Sequence, residues 1–105
     1  MALLRANDLK RFPNGTAVSV AGNVIVRQRP GTAKGVVFIS LEDETGIANV
    51  VVMPDTFNAF KAVIVTEPYL LVDGKLQNVD GVIHVRAHKF QGIEAFASIP
   101  SHDFH

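Results

Sequence analysis

The sequence contains no cysteine, carries no net charge and has no apolar run long enough to cross a membrane. Without cysteine there is neither a disulfide framework nor a thiolate metal site, which is compatible with a reducing cytosol. A membrane-spanning helix needs about 20 consecutive apolar residues, and no stretch approaches this length. The composition, 48% hydrophobic and 19% charged over 105 residues, predicts one small domain with a core rather than a disordered tail.

Positive charge is unevenly distributed along the chain. Ten Lys and Arg residues balance ten Asp and Glu residues, whereas a free-standing nucleic-acid-binding protein is usually basic. Between Leu9 and Leu41, however, there are five cations and no acid. These cations are Lys10, Arg11, Arg27, Arg29 and Lys34. A chain without net charge can therefore still build a local positive field.

Alternation of apolar and polar residues predicts five β-strands. In the first strand four valines share one parity with Gly22, and a glycine inside a strand indicates a bulge or a sharp bend. Asp80-Gly81 is a hairpin turn signal. A short amphipathic helix over 55–62, with Asp55 as its cap, is predicted between the third and fourth strands. The predicted strands span residues 16–27, 36–41, 47–52, 69–77 and 82–90.

Five strands with a helix between the third and the fourth is the element order of the OB-fold, a small Greek-key barrel. The predicted fold class is therefore all-β, a five-stranded OB-fold barrel over residues 15–92. Residues 1–14 are expected to form a short helix or a linker, and residues 93–105 a C-terminal tail. An SH3-like barrel is the main competitor, but it lacks a helix at this point. OB-folds commonly bind oligonucleotides on strands 2 and 3, between two loops that correspond here to residues 28–35 and 78–81.

The hairpin of the second and third predicted strands has a partly apolar outer surface. Alternation directs one set of side chains inward: Val37, Ile39, Leu41, Ala48, Val50 and Val52. Phe38, Asn49, Val51 and Met53 then share the outer surface. Few charges lie there, which is unusual for a face in contact with water alone. This surface is the predicted binding face.

The run VAGNVIVRQRPGTAKGVVFISLEDETGIANVVV, residues 20–52, resembles the C-terminal OB domain of the error-prone, DnaE-type bacterial DNA polymerases. The combination of RQRPGTAKG and LEDETG carries the resemblance, and the ending SHDFH is similar to the end of that family's chain. The resemblance covers residues 15–105. It implies a fragment of a longer polymerase whose catalytic carboxylates and Mg²⁺ belong to domains absent here. It implies no cofactor and no catalytic residue for the fragment itself.

The pattern FISLED, residues 38–43, is also similar to the anticodon-binding OB domains of class II aminoacyl-tRNA synthetases. That similarity implies that Phe38 stacks on a base and that Asn49 occupies a base-reading position on the third strand. The polymerase relatives often carry an aromatic residue where this chain has Met53. The departure implies that one stacking platform is missing here.

The candidate nucleic-acid-binding site combines one aromatic residue with cations and two further outward residues. Stacking on an exposed aromatic contributes about 1–3 kcal/mol per base and tolerates any base. Cations without acidic neighbours favour phosphate contact, because neutralised phosphates release counterions. Alternatively, the aromatic packs under a loop or on a neighbouring domain, and the cations are solvated loop charges. The candidate residues are Arg27, Arg29, Lys34, Phe38, Asn49, Met53 and Arg86.

Two other groups of titratable residues are interpreted as structural. Glu42, Asp43 and Glu44 precede Thr45-Gly46 and indicate a hairpin turn whose side chains bond backbone amides. His84 and His88 lie about 13 Å apart along a strand, too far to share one zinc ion without help. No metal site is predicted.

These residues and resemblances together predict a non-catalytic module that binds single-stranded template DNA without sequence preference. It would act during translesion synthesis and DNA repair by a cytoplasmic parent polymerase. One alternative is a protein-docking module that contacts the rest of the polymerase chain or other replication or mutasome proteins. A second alternative is a tRNA anticodon-binding domain, which would discriminate RNA from DNA. Salt separates the first alternative from DNA binding, because phosphate contacts weaken steeply as salt rises.

Overall fold

The computed structural model describes residues 2–31 and 34–94. These residues form six strands, one 3₁₀ helix and one α-helix. In chain order they are β1 (Ala2–Leu4), the 3₁₀ helix (Ala6–Arg11), β2 (Ala17–Gln28), β3 (Val37–Asp43), β4 (Gly46–Val52), α1 (Pro54–Thr66), β5 (Tyr69–Val79) and β6 (Val82–Gly92). Most of the expected C-terminal tail, including SHDFH, lies outside the described residues.

Strands β2 to β6 close into a five-stranded barrel. The long strand β2 pairs with β5 through its first half and with β3 through its second half, both antiparallel. Strand β3 continues into the β3–β4 hairpin, β4 pairs in parallel with β6, and β6 pairs with β5. The circuit therefore has no free edge within the five strands. This barrel, with α1 between β4 and β5, confirms the fold predicted from the sequence.

The core lies inside the barrel and is built by strand alternation. The six side chains of the β3–β4 hairpin that were expected to face inward are all at most 4% exposed. Helix α1 adds Phe57 and Ile64 to this core, and its Phe60 ring lies 5.9 Å from the ring of Phe90. The other core residues are Leu9, Val18, Val20, Leu70, Val72, Leu76, Val85, Ala87 and Phe90.

A bulge in β2 decides which of its side chains reach the outer surface. Val24 pairs with Leu41 and Val26 with Ser40, so Ile25 is the additional residue. A shift of one residue exchanges the two faces of a strand. Val26 therefore becomes 38% exposed. Gly22, where the sequence predicted a bulge or a sharp bend, directly precedes Asn23, at which β2 passes from β5 to β3. It lies against the neighbouring backbone, since a Cβ there would stand 2.7 Å from the carbonyl oxygen of Glu42.

The N-terminal segment, expected to form a short helix or a linker, contains a short strand followed by a 3₁₀ helix. Ala2–Leu4 pairs in parallel with the start of β2, and the following 3₁₀ helix buries Leu9 at 3% exposure. A strand of three residues is too short to produce a readable alternation, which is why the sequence did not indicate it.

Helix α1 is longer than predicted, and its cap is different. It begins at Pro54, whose fixed φ suits the first helical position. Its N-cap is Met53 and no side chain caps it, so the prediction that Asp55 caps the helix is wrong. In the described part of the chain no helix is long and apolar enough to span a membrane.

Candidate nucleic-acid interface

One row of outward-facing side chains crosses the sheet from β2 to β5. The strand register places Gln28 beside Phe38, Phe38 beside Val51, Val51 beside Arg86, and Arg86 beside Lys75. Phe38 is 40% exposed, and Gln28, Arg86 and Lys75 are exposed as well. Neighbouring strands lie about 4.8 Å apart, so four intervals extend over about 19 Å. We call these five residues the transverse row.

A neutral polar row lies next to the transverse row, one outward position along each strand. It contains Ser40 and the exposed Asn49, whose side-chain oxygens lie 3.5 Å apart in a weak hydrogen bond. On β6 and β5 it continues with His84 and Gln77, where Nε2 of the imidazole and Oε1 of the amide are 2.5 Å apart in a hydrogen bond. Asn49 therefore stands within one row of Phe38, as a base-reading residue would have to.

The outer face of the barrel changes its charge along the β3–β4 hairpin. Arg86 and Lys75 lie in the transverse row, whereas Glu42 pairs with Ile47 near the hairpin turn. Because β6 runs parallel to β4, the turn after β5 lies at this acidic end, opposite the loop of residues 28–35. An anionic strand is therefore favoured across the transverse row and disfavoured near the turn.

Asp43 holds the hairpin turn and the N-terminal segment together. Its Oδ1 accepts hydrogen bonds from the Thr45 amide and hydroxyl, both at 2.7 Å, and from the Gly46 amide at 3.1 Å. Its Oδ2 accepts from the Ala6 amide at 2.7 Å. Burial raises the pKa of this carboxyl, but these hydrogen bonds outweigh it and leave the pKa below its ordinary value. The acidic turn is thus structural, as the sequence indicated.

Arg27 and Arg29 do not lie beside Phe38, although the sequence predicted one site that contains all three residues. Arg27 pairs with the inward-facing Ile39, because the bulge in β2 exchanges the faces of the strand. Its Nε donates to the Ile64 carbonyl at 2.8 Å, and one terminal nitrogen donates to the Glu67 carbonyl at 2.9 Å. The guanidinium therefore caps the C-terminal end of α1, whose last turn carries no basic residue of its own.

The side chain of Arg29, like that of Arg27, lies on the side of the barrel that faces helix α1. The central carbon of its guanidinium lies 4.4 Å from the centre of the Phe57 ring, a cation–π contact with helix α1. The two arginines thus face the helix side of the barrel. The phosphate contact that the sequence predicts for these two arginines would therefore lie apart from the site around Phe38.

Lys34 and Met53 lie at the cationic end of the hairpin. Lys34 is exposed with φ of 53°, and it precedes Gly35. Gly35 in turn lies against Pro54, since a Cβ there would be 3.3 Å from Cγ of that ring. Met53 directly precedes Pro54 and is half-buried. Of the seven candidate residues, Phe38, Asn49 and Arg86 share the outer face, Lys34 and Met53 lie at its end, and Arg27 and Arg29 lie behind it.

Sequence reasoning missed Lys75 and Gln28 as members of this face. Alternation of Lys75 with the buried Leu76 could have shown that it points outward. Its position beside Arg86 depends on the antiparallel pairing of β5 with β6, and that of Arg86 beside Val51 on the parallel pairing of β4 with β6. Among the residues that the structure describes, no group of three or more His, Cys, Asp or Glu could hold a metal ion.

A family model described as an OB-fold nucleic acid binding domain matches residues 18–93. The chain belongs to this family. The matched part of the OB domain runs from the second residue of β2 to the residue after β6, so it is the closed barrel that carries the family's pattern.

The OB domain is similar in sequence to parts of bacterial error-prone DNA polymerases. It is 53% identical over 90 residues to the error-prone DNA polymerase of Caulobacter vibrioides, covering 86% of this chain and 8% of that protein. With the error-prone DNA polymerase of Anaeromyxobacter dehalogenans strain 2CP-C the identity is 49% over 98 residues, covering 93% of this chain and 8% of that protein. The resemblance to the DnaE-type polymerases is confirmed, and the chain spans less than a tenth of these relatives.

Solved structures share the fold of the OB domain at low sequence identity. Asparaginyl-tRNA synthetase from Pyrococcus horikoshii matches with a TM-score of 0.72 and 23% identity, covering 92% of this chain and 24% of that one. The Stn1–Ten1 complex of S. pombe matches with a TM-score of 0.63 and 19% identity, covering 75% of this chain and 59% of that one. At these identities the matches establish the fold alone.

Proposed function

We propose that this OB domain binds single-stranded DNA across the transverse row and catalyses no reaction itself. The observation that carries the proposal is the register, which joins an exposed aromatic residue, Phe38, to two exposed cations, Arg86 and Lys75, on one surface. OB-folds that bind single strands combine aromatic platforms with a positively charged groove. The transverse row has both elements.

In this proposal each part of the face has one role. A base stacks on Phe38, and Arg86 and Lys75 neutralise phosphates on the β6 and β5 side. Asn49, one row away, offers an amide donor and acceptor to a base edge. Lys34 approaches the strand at the cationic end, and the acidic turn keeps phosphates away from the other end. Because stacking tolerates every base, sequence preference is weak.

The sequence relatives suggest the setting in which this binding is used. We propose that the OB domain is part of an error-prone DNA polymerase and holds template strand while the polymerase copies past lesions and repairs DNA. Templated nucleotidyl transfer with Mg²⁺ would then take place in other domains of that protein. The partners of the OB domain in this setting are single-stranded DNA and the rest of the polymerase chain.

Fluorescence anisotropy with a labelled oligo-dT, titrated over a range of salt concentrations, tests the proposal. Two or three phosphate contacts predict that the logarithm of the association constant falls with the logarithm of salt concentration, with a slope between about −1.4 and −2. An apolar protein-docking surface at Phe38, Val51 and Met53 would produce no such dependence. A preference for oligo-U over oligo-dT would favour the tRNA-type alternative, and no binding at low salt would exclude the proposal.

A further inference from the structure

A groove on the helix side of the barrel lies between β2 and α1, and Gln28, the β2 member of the transverse row, forms one border of it. Its cavity has a volume of about 230 Å³. The floor is apolar, formed by Val37, Phe57 and Ile64, which are all less than 9% exposed. Val65, 48% exposed, forms part of the wall. Arg27 and Arg29 line the same cavity.

The two arginines place unused hydrogen-bond donors at this groove. Arg27 uses Nε and one terminal nitrogen for the carbonyls of α1, which leaves Nη1 without a partner among the described residues. Arg29 stacks on Phe57, and no described residue accepts a hydrogen bond from its guanidinium. In the described part of the chain neither arginine forms an ion pair with a carboxylate. The positive charge in the groove is therefore not neutralised by any described acidic side chain.

The shape of the groove distinguishes between two kinds of anionic partner. A single-stranded nucleic acid needs a flat aromatic platform for its bases, but Phe57 is only 8% exposed and Arg29 covers its ring. An apolar cavity of this volume instead accommodates one large aliphatic or aromatic side chain. A carboxylate beside that side chain would meet the planar donor fork of Arg29, which suits bidentate recognition.

We propose that the groove lined by Arg27, Arg29, Phe57 and Val65 binds a peptide segment of a partner protein, in which a large apolar side chain is flanked by carboxylates. The apolar side chain fills the cavity above Phe57 and Ile64, and the flanking carboxylates pair with the arginines. The OB domain then has two binding surfaces that meet at Gln28: the transverse row for DNA and the helix-side groove for an acidic, apolar peptide.

Two labelled peptides test the proposal by fluorescence anisotropy at low and moderate salt: DDLFDD, and KKLFKK with the charges reversed. We expect DDLFDD to bind and KKLFKK not to bind. Loss of one charge-assisted contact in Arg29→Ala should weaken DDLFDD about tenfold. Arg29→Lys keeps the charge without the fork and should weaken it less. Val65→Glu places a carboxylate at the exposed wall and should abolish binding of DDLFDD.

Arg11→Ala is the matched control, because this arginine is exposed on the 3₁₀ helix and does not line the groove. Phe38→Ala should leave peptide binding unchanged, and Arg29→Ala should leave oligo-dT binding unchanged. Circular dichroism confirms that each variant is folded. The proposal is overturned if neither peptide binds, if KKLFKK binds equally well, or if Arg29→Ala weakens oligo-dT while peptide binding stays the same. The last result would identify the groove as a nucleic-acid contact.

Discussion

The substitution Phe38→Ala removes the only aromatic side chain of the transverse row and leaves its cations in place. A stacked base contributes about 1–3 kcal/mol, so the association constant for oligo-dT should fall about 5- to 150-fold. Arg86 and Lys75 still neutralise the same phosphates in the variant. The slope of binding against salt should therefore stay as it is in the wild type. Loss of affinity without a change of slope is the distinctive signature of a lost stacking contact.

The cost of this substitution to the fold is small enough to permit the assay. Phe38 is 40% exposed and its cross-strand neighbour is Val51. Loss of that pair and of the partial burial should lower the free energy of unfolding by about 1–2 kcal/mol, compared with about 5–15 kcal/mol for a typical domain. Thermal denaturation followed by circular dichroism at 218 nm, roughly the β-sheet minimum, measures this change.

Two controls make the result interpretable. Phe38→Leu keeps an apolar side chain but removes the ring, so it should lose most of the same affinity with less cost to stability. Val65→Ala shortens an exposed apolar side chain of helix α1, outside the row, and should bind oligo-dT as the wild type does. If Phe38→Ala is folded and binds within twofold of the wild type, the stacking role assigned to this residue is wrong.

Three further substitutions test other parts of the account. Arg86→Ala should make the salt slope shallower by about 0.7 in the anisotropy titration, because one phosphate contact is lost; an unchanged slope would contradict that role. Arg27→Ala should lower the free energy of unfolding by about 1–2 kcal/mol in urea denaturation, since the carbonyls of Ile64 in α1 and of its C-cap Glu67 lose a charged donor; an unchanged midpoint would show that the cap is without effect. Asp43→Ala should lower stability at pH 7 and flatten its pH dependence. The native pKa of Asp43 is depressed, so its contribution is present above the unfolded pKa and is lost as pH falls from about 4 through the native value. Equal acid sensitivity of variant and wild type would contradict this.

The β3–β4 hairpin could be predicted from the sequence almost completely. The two-residue alternation of inward and outward positions specified which side chains face the core, and the Thr45-Gly46 turn fixed the register. The outward positions of Phe38 and Asn49 follow directly from the same alternation. Local patterns were sufficient here because both strands pair with a neighbour in the chain.

Features that depend on long-range contacts could not be predicted in this way. The sequence grouped Arg27 and Arg29 with Phe38 in one candidate site, but the extra residue at Ile25 turns Arg27 toward α1, and Arg29 contacts Phe57 of the same helix. The sequence signalled a bend at Gly22, and no local feature distinguishes Ile25 as the bulged residue. Predicting that Lys75 belongs to the transverse row would require the order of β4, β6 and β5 in the sheet, and no local sequence pattern contains that order.

The bulge has a consequence for the way in which the OB domain uses its charge. It separates the cations of the RQR sequence from the aromatic residue that follows them in the chain, and gives each side of the barrel its own cations. A domain without net charge can in this way offer positive surfaces in two places. The transverse row contains Arg86 and Lys75, and the helix side contains Arg27 and Arg29.

The most direct test is to map the oligo-dT contact on the ¹⁵N-labelled protein by NMR chemical-shift perturbation. If the transverse row binds the strand, the largest shifts fall on the amides of Phe38, Val51, Arg86 and Lys75, and the amides of α1 stay in place. Shifts concentrated on α1 around Val65, with Phe38 and Arg86 unmoved, would contradict the assignment of DNA to this face.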